Sequence, residues 1–284
     1  MPLDSHVKRR FGFCLAVGAF LMLTVQPDAQ TAVPASSSSA PADNKTEVNR
    51  SGFVEIPAVN YSLGDRKIEF TPTARMPGAL GQGQVKASKD GGVSVEVQFS
   101  GLASPTKFGN EFLTYVLWGS IPNGRTLKLG ELTLKGNQAR SVAKTVLRTF
   151  AMMVTAEPYA AVAHPSSIVV LKASSAGNTT QATLAQIELQ GDIYAPPGYK
   201  YEPLDTSSGY PSDVLQAMNA RRIAQVAGAE KYAFEKFQAA ESLYQLMIAE
   251  AIQERKISKR TLGVAKAAAQ GFEDARELAV RNQR

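Results

Sequence analysis

The chain has 284 residues, 44% of them hydrophobic and 20% charged, with a formal net charge of +6, two histidines and one cysteine. That length supports two small domains, and the mild positive balance, without an aromatic-and-arginine groove, excludes a nucleic-acid binder while permitting attraction to anionic lipid or cell-wall surfaces. With Cys14, His6 and His164 as its whole complement of cysteine and histidine, the chain lacks the usual nucleophile, acid-base and zinc sets, so no enzyme, cofactor or metal is expected.

Lys8, Arg9 and Arg10 precede an apolar run over 11–25, then small residues and proline, which is a secretory signal peptide in outline. The run falls short of the roughly 20 apolar residues a spanning helix needs. Cleavage is therefore expected, removing 1–29 or as much as 1–35, with an uncleaved anchor as the lesser alternative. Loss of 1–29 removes three cations (Lys8, Arg9, Arg10) and two anions (Asp4, Asp28), so the net charge becomes +5. It also leaves no cysteine and no disulfide support. A periplasmic or secreted location follows, with no integral membrane span after cleavage. Residues 30–52, rich in Ala, Ser and Pro with serine at each of 36–39, read as a disordered leader.

A β domain is expected over 53–194. The stretch 71–84, with Pro72, Pro77, Gly78, Gly81 and Gly83, reads as loop. Val93, Val95, Val97 and Phe99 then alternate with polar residues as in a half-buried strand, with Asp90-Gly91 as the hairpin turn ahead of them. The run FLTYVLW at 112–118 suits a central strand, its Tyr115 and Trp118 packed in the core on opposite faces. Asn123-Gly124 turns the chain into Leu127, Leu129, Leu132 and Leu134, whose parity slips at Gly130-Glu131 and predicts a β-bulge. Further strands fall at 139–147, 150–156, 167–173 and 183–193. Seven or eight short strands at this spacing predict an immunoglobulin-like β-sandwich.

The Pro/Tyr/Gly-rich segment 195–211 marks a domain boundary and predicts two halves that fold independently. Tyr194, Tyr199, Tyr201 and Tyr210 are candidates to clamp the halves together. No proline follows 211, and 212–284 has helical composition. Asp213 can cap a short first helix with Gln216 at its third position, and Gly228 ends it. A second helix is expected over 230–255 and a third from Ser258. Ala233, Phe237, Ala240, Tyr244, Met247 and Ala251 draw a four-three stripe, matched by Thr261, Ala265, Ala268, Phe272, Ala275 and Ala279 on the third helix. The two should pack as a coiled-coil-like antiparallel hairpin, making the fold α+β. A second apolar set, Leu243, Leu246 and Ile252, is the candidate partner surface unless the short first helix covers it and closes a three-helix unit. Arg255, Lys256, Lys259 and Arg260 cluster at the turn, where cations favour a helix end and can also meet an anionic surface.

Two chemical motifs carry little. Ser141-Val142-Ala143-Lys144 has the S-x-x-K spacing of penicillin-binding enzymes, but on a strand residues three apart point to opposite faces. His164, before Pro165, reads as a loop histidine.

The runs FLTYVLWGSIPNGRTLKLGELTL, TFAMMVTAEPY and PSSIVVLKAS resemble the β domain of exported acidobacterial-type envelope proteins and, more distantly, the extracytoplasmic domain of anti-sigma-K factors. NARRIAQVAGAEKYAFEKFQAAESL is similar to the uncharacterised helical domain that sits in those envelope proteins before an OmpA-like peptidoglycan-binding domain. The residues up to Arg284 leave no room for that last domain, so cell-wall anchoring is not among the expectations. The expected function is that of a non-catalytic envelope interaction or scaffolding protein, binding partners mainly through the helical hairpin. Its partner would be an envelope protein or cell-wall component, with a homo-oligomer also possible. The alternative is an extracytoplasmic module recognising glycan or peptide through the β-domain loops.

Overall fold

The computed structural model describes residues 52–88, 91–174, 183–190, 194–206, 208–253 and 257–284, with the side chains of 252 and 253 left aside. The expected signal peptide, the leader up to 51, Arg255, Lys256 and the side chain of Ile252 lie outside the described residues.

The fold is α+β. Ten strands form an antiparallel sheet: β1 (Gly52–Asn60), β2 (Arg66–Pro72), β3 (Leu80–Ala87), β4 (Val93–Ser100), β5 (Thr114–Ser120), β6 (Thr126–Leu132), β7 (Ala139–Thr145), β8 (Thr149–Glu157), β9 (Val169–Ser174) and β10 (Thr183–Leu189). The main run is β6-β5-β8-β9-β2-β3-β4-β7, and its two end strands come back beside each other, so the sheet curls into a nearly closed barrel. β1, lined along its length by β10, joins at the start of β8 through Val59 and Phe150. β8 is thus the hub, and all but its first residue is buried. β5 pairs with it along its whole length and is buried throughout, as the two-sided apolar run at 112–118 predicts. Tyr115 and Trp118 are both core residues.

A bulge is present, one residue before the expected Gly130-Glu131. Leu117 faces Gly130 but Trp118 faces Lys128, leaving Leu129 as the extra residue. The expected loop over 71–84 is corrected, because β3 begins at Leu80. Its glycines are inward-facing strand positions, and a Cβ on Gly81 would lie 2.6 Å from the Phe99 ring and 2.8 Å from Phe70 Cβ. The alternation in LGQGQV is that of a strand whose core-facing members have been reduced to hydrogen to admit two phenyl rings.

The helical part consists of α1 (Ser212–Val226), a single turn α2 (Ala229–Tyr232), α3 (Phe234–Ile248) running into a π turn (Ala249–Gln253), and α4 (Lys259–Asn282). Gly228 adopts φ 75° and ends α1 as expected. The expected unbroken helix over 230–255 is interrupted at Ala233, where φ is −144°. Ser258 caps α4 in a capping box with Thr261. α1 starts after Pro211, two residues earlier than expected, and Gln216 does not complete a cap with Asp213; its carboxamide is drawn to the β domain. Both predicted stripes are buried apart from the half-buried Tyr244, and the Phe237 ring packs tilted against that of Phe272, 5.3 Å between centres. α4 lies between α1 and α3, while α1 and α3 scarcely meet.

The described residues from 52 to 284 pack as one compact unit, and the buried apolar side chains of strands and helices form a single cluster. The segment 195–211 is therefore a change of secondary structure and not a break in packing.

Candidate functional site

The polar chemistry of the chain converges where the helices meet the β domain. At the end of β8, Glu157 is fully buried. Its Oε1 accepts from the Thr155 hydroxyl and from the Ser166 backbone N–H at 2.8 Å, and its Oε2 accepts from the Tyr194 hydroxyl at 3.3 Å. Thr155 in turn accepts from the Trp118 indole N–H at 2.8 Å. Burial pushes the Glu157 carboxyl up to about 8, although these donors and the Glu273 charge also act on it. At neutral pH it is therefore a neutral acid.

Across the junction, α4 contributes Glu273 and Arg276, each 1% exposed. Arg276 donates to both carboxylate oxygens of Glu273 at 2.7 and 2.8 Å, and Glu273 also accepts from the Tyr159 hydroxyl at 2.7 Å and the Ala163 N–H at 3.0 Å. Burial alone would raise the Glu273 carboxyl, but the hydrogen bonds and charge of Arg276 outweigh it and hold the group below the usual carboxylate range. The Arg276 guanidinium lies 5.4 Å from the centre of the Tyr194 ring. Of the two buried carboxyl groups, Glu273, paired with the cation, is thus ionised and Glu157, without it, is protonated.

α1 completes the joint with three side chains. Gln216 accepts from the Ala160 N–H and donates to Glu131 at 2.6 Å. Asn219, fully buried, donates to the carbonyls of Glu111 and Pro158 at 2.7 and 2.8 Å. Arg222 donates to Asn219 Oδ1 at 2.7 Å and to the carbonyl of Asn110 at 2.8 Å, and it stacks at 4.9 Å over Tyr201. Of the four boundary tyrosines, Tyr194 and Tyr201 act as the clamp, with the Tyr201 hydroxyl donating to the Tyr194 carbonyl. Tyr199 stays 49% exposed.

The expected partner surface lies on the opposite side of the helical layer. Leu246 is exposed, Ala239 likewise, and Leu243 is half-buried against the core. The three follow one another at i, i+4 and i+7, which draws a single line along α3. Because α1 packs on α4, that line is left uncovered. Lys259 is exposed, and Arg260 pairs with Glu250 at 3.5 Å. His164 is exposed in the β8–β9 loop. Ser141 is buried and Lys144 exposed, on opposite faces of β7.

Comparison with protein families, curated proteins and solved structures finds no match. The site is therefore read from its own geometry. Among the described residues, no group of His, Cys, Asp and Glu is placed to hold a metal, and no helix is long and apolar enough to cross a membrane.

Sequence reasoning missed Glu157, Glu273, Arg276, Asn219 and Arg222. One signal was available, since Ala269, Glu273 and Arg276 fall at i, i+4 and i+7 beside the alanine stripe of α4. A Glu-x-x-Arg pair on a line with a buried alanine marks a salt bridge facing a packed neighbour.

Proposed function

We propose that the chain is a non-catalytic interaction or scaffolding protein of the bacterial cell envelope, exported by its N-terminal signal, which engages an envelope partner through the outer flank of α3. The observation that carries this reading is the line Ala239, Leu243 and Leu246, whose first and last members are exposed and whose middle one is half-buried, because α1 covers α4 instead of closing over α3. Exposed apolar surface is where a soluble protein meets a partner. The aromatic side chains that could have formed a sugar platform on the strands, Tyr115 and Trp118, are instead in the core. The buried carboxylates are engaged in joining the two parts of the fold, which suits a rigid mount better than a reacting centre. The resemblance to exported envelope proteins and the immunoglobulin-like reading of the strands belong to the same proposal. A photo-crosslinking amino acid placed at 246 in the native host should trap an envelope protein or a second copy of the chain. The same probe at exposed Val142, on β7, should not. Equal trapping at both positions would refute the assignment to α3.

A further inference from the structure

The outer face of β2, β3, β4 and β7 carries a groove of about 740 Å³, separate from the junction and from α3. A shallower groove of about 330 Å³ continues it along β2, β3 and β4. Gly81 and Gly83 help to shape this surface. A Cβ on Gly81 would meet the Phe99 ring and Phe70 Cβ, and one on Gly83 would meet the Glu96 carbonyl oxygen, so both glycines allow the neighbouring strands β2 and β4 to lie close against β3 beneath the trough.

The strand register sets two rows across the floor of this trough. Glu69, Gln82, Gln98 and Arg140 lie side by side, as do Lys67, Gln84 and Glu96. The first row presents two carboxamides and the second one, each between an anion and a cation, and Arg140 pairs with Glu96 across the rows, so the floor itself favours neither an anionic nor a cationic ligand; Lys135 at the rim is the one further charge among the lining residues. A carboxamide offers donor and acceptor together, as a sugar hydroxyl does. Neighbouring strands stand about 4.8 Å apart, which is close to the length of one pyranose ring, whereas an extended peptide repeats at about 3.3 Å per residue.

From this geometry we infer that the trough binds a neutral, extended glycan lying across the strands, with Gln82 and Gln98 hydrogen-bonding successive sugar rings. This site is independent of the α3 surface.

Isothermal titration calorimetry of the full chain with cellohexaose and with chitohexaose tests the inference. At least one of the two should bind saturably, with an affinity that does not change between low and high salt. Gln82→Ala/Gln98→Ala should weaken binding by about tenfold or more without moving the melting temperature, because both side chains are exposed. Gln98→Glu, which keeps the side-chain size, is the second variant and should weaken binding too. The inference is overturned if neither hexasaccharide binds at millimolar concentration or if the substitutions leave binding unchanged. It is also overturned if binding appears only with anionic hexagalacturonate and is lost in salt.

Discussion

Glu157 and Glu273 differ in one respect that decides their behaviour: Arg276 bonds directly to Glu273 and not to Glu157. For Glu157 the folded value of about 8 lies above the ordinary carboxylate value of about 4.3. In that window the folded chain holds a proton that the unfolded chain releases. Stability should therefore fall as pH rises through the window, by up to about 1.4 kcal/mol per pH unit, and level off above it. Glu273 is held low, so its contribution is present above the ordinary carboxylate range and is lost as pH falls through its folded value. Glu157→Gln keeps an acceptor for Thr155 and Ser166, and it should flatten the slope between about pH 5 and about pH 8 in denaturant titrations. An unchanged slope would show that Glu157 is not the titrating group. Arg276→Met should cost about 3–5 kcal/mol by leaving a buried carboxylate unpaired. Adding Glu273→Gln should recover much of that loss; failure to recover would mean that the cost lies in packing against Tyr194 and not in the charge.

At the scale of elements, α4 contains an internal control. A Cβ on Gly271 would come within 2.9 Å of Ala240 Cβ on α3, whereas one on Gly263 would meet nothing within 4 Å. Both glycines are in the same helix, so replacement by alanine improves helix propensity by up to about 1 kcal/mol at either site. Gly263→Ala should raise the melting temperature and Gly271→Ala should lower it, since two packed helices must move apart. Two increases would mean that α3 and α4 are less closely packed than described. The paired stripes, the capping box at Ser258, the turn glycine at Gly228 and the slip at Leu129 were legible in the sequence because each is a local periodicity or a local hydrogen bond. β3 was misread because its glycines look like loop residues until their inward alternation is matched to Phe70 and Phe99. The junction was illegible for a different reason. Tyr159 and Glu273 are 114 residues apart and Asn219 and Glu111 are 108 apart, and no spacing rule connects such pairs.

The whole molecule joins a β barrel to a helical layer through buried polar groups on both sides. Composition changes at 195–211, yet Glu273, Gln216 and Asn219 all hydrogen-bond to backbone groups in the loops of the β domain, at Ala163, Ala160, Glu111 and Pro158. Residues 212–284 expressed alone would expose those groups together with the apolar surface beside them. That fragment is expected to lose cooperative melting while the full chain keeps a single transition; a fragment that melts as cooperatively as the full chain would show the joint to be dispensable. Such a joint fixes the orientation of α4, and with it the orientation of α3 and its open flank.

The central claim is that this flank binds the partner, and co-purification from envelope extract with a doubly charged variant tests it most directly. Ala239→Glu/Leu246→Glu places two good helix formers at exposed positions, so helicity and melting temperature should stay near those of the unaltered chain while the co-purifying partner is lost. A variant that remains folded and still recovers the same partner in the same yield would contradict the account.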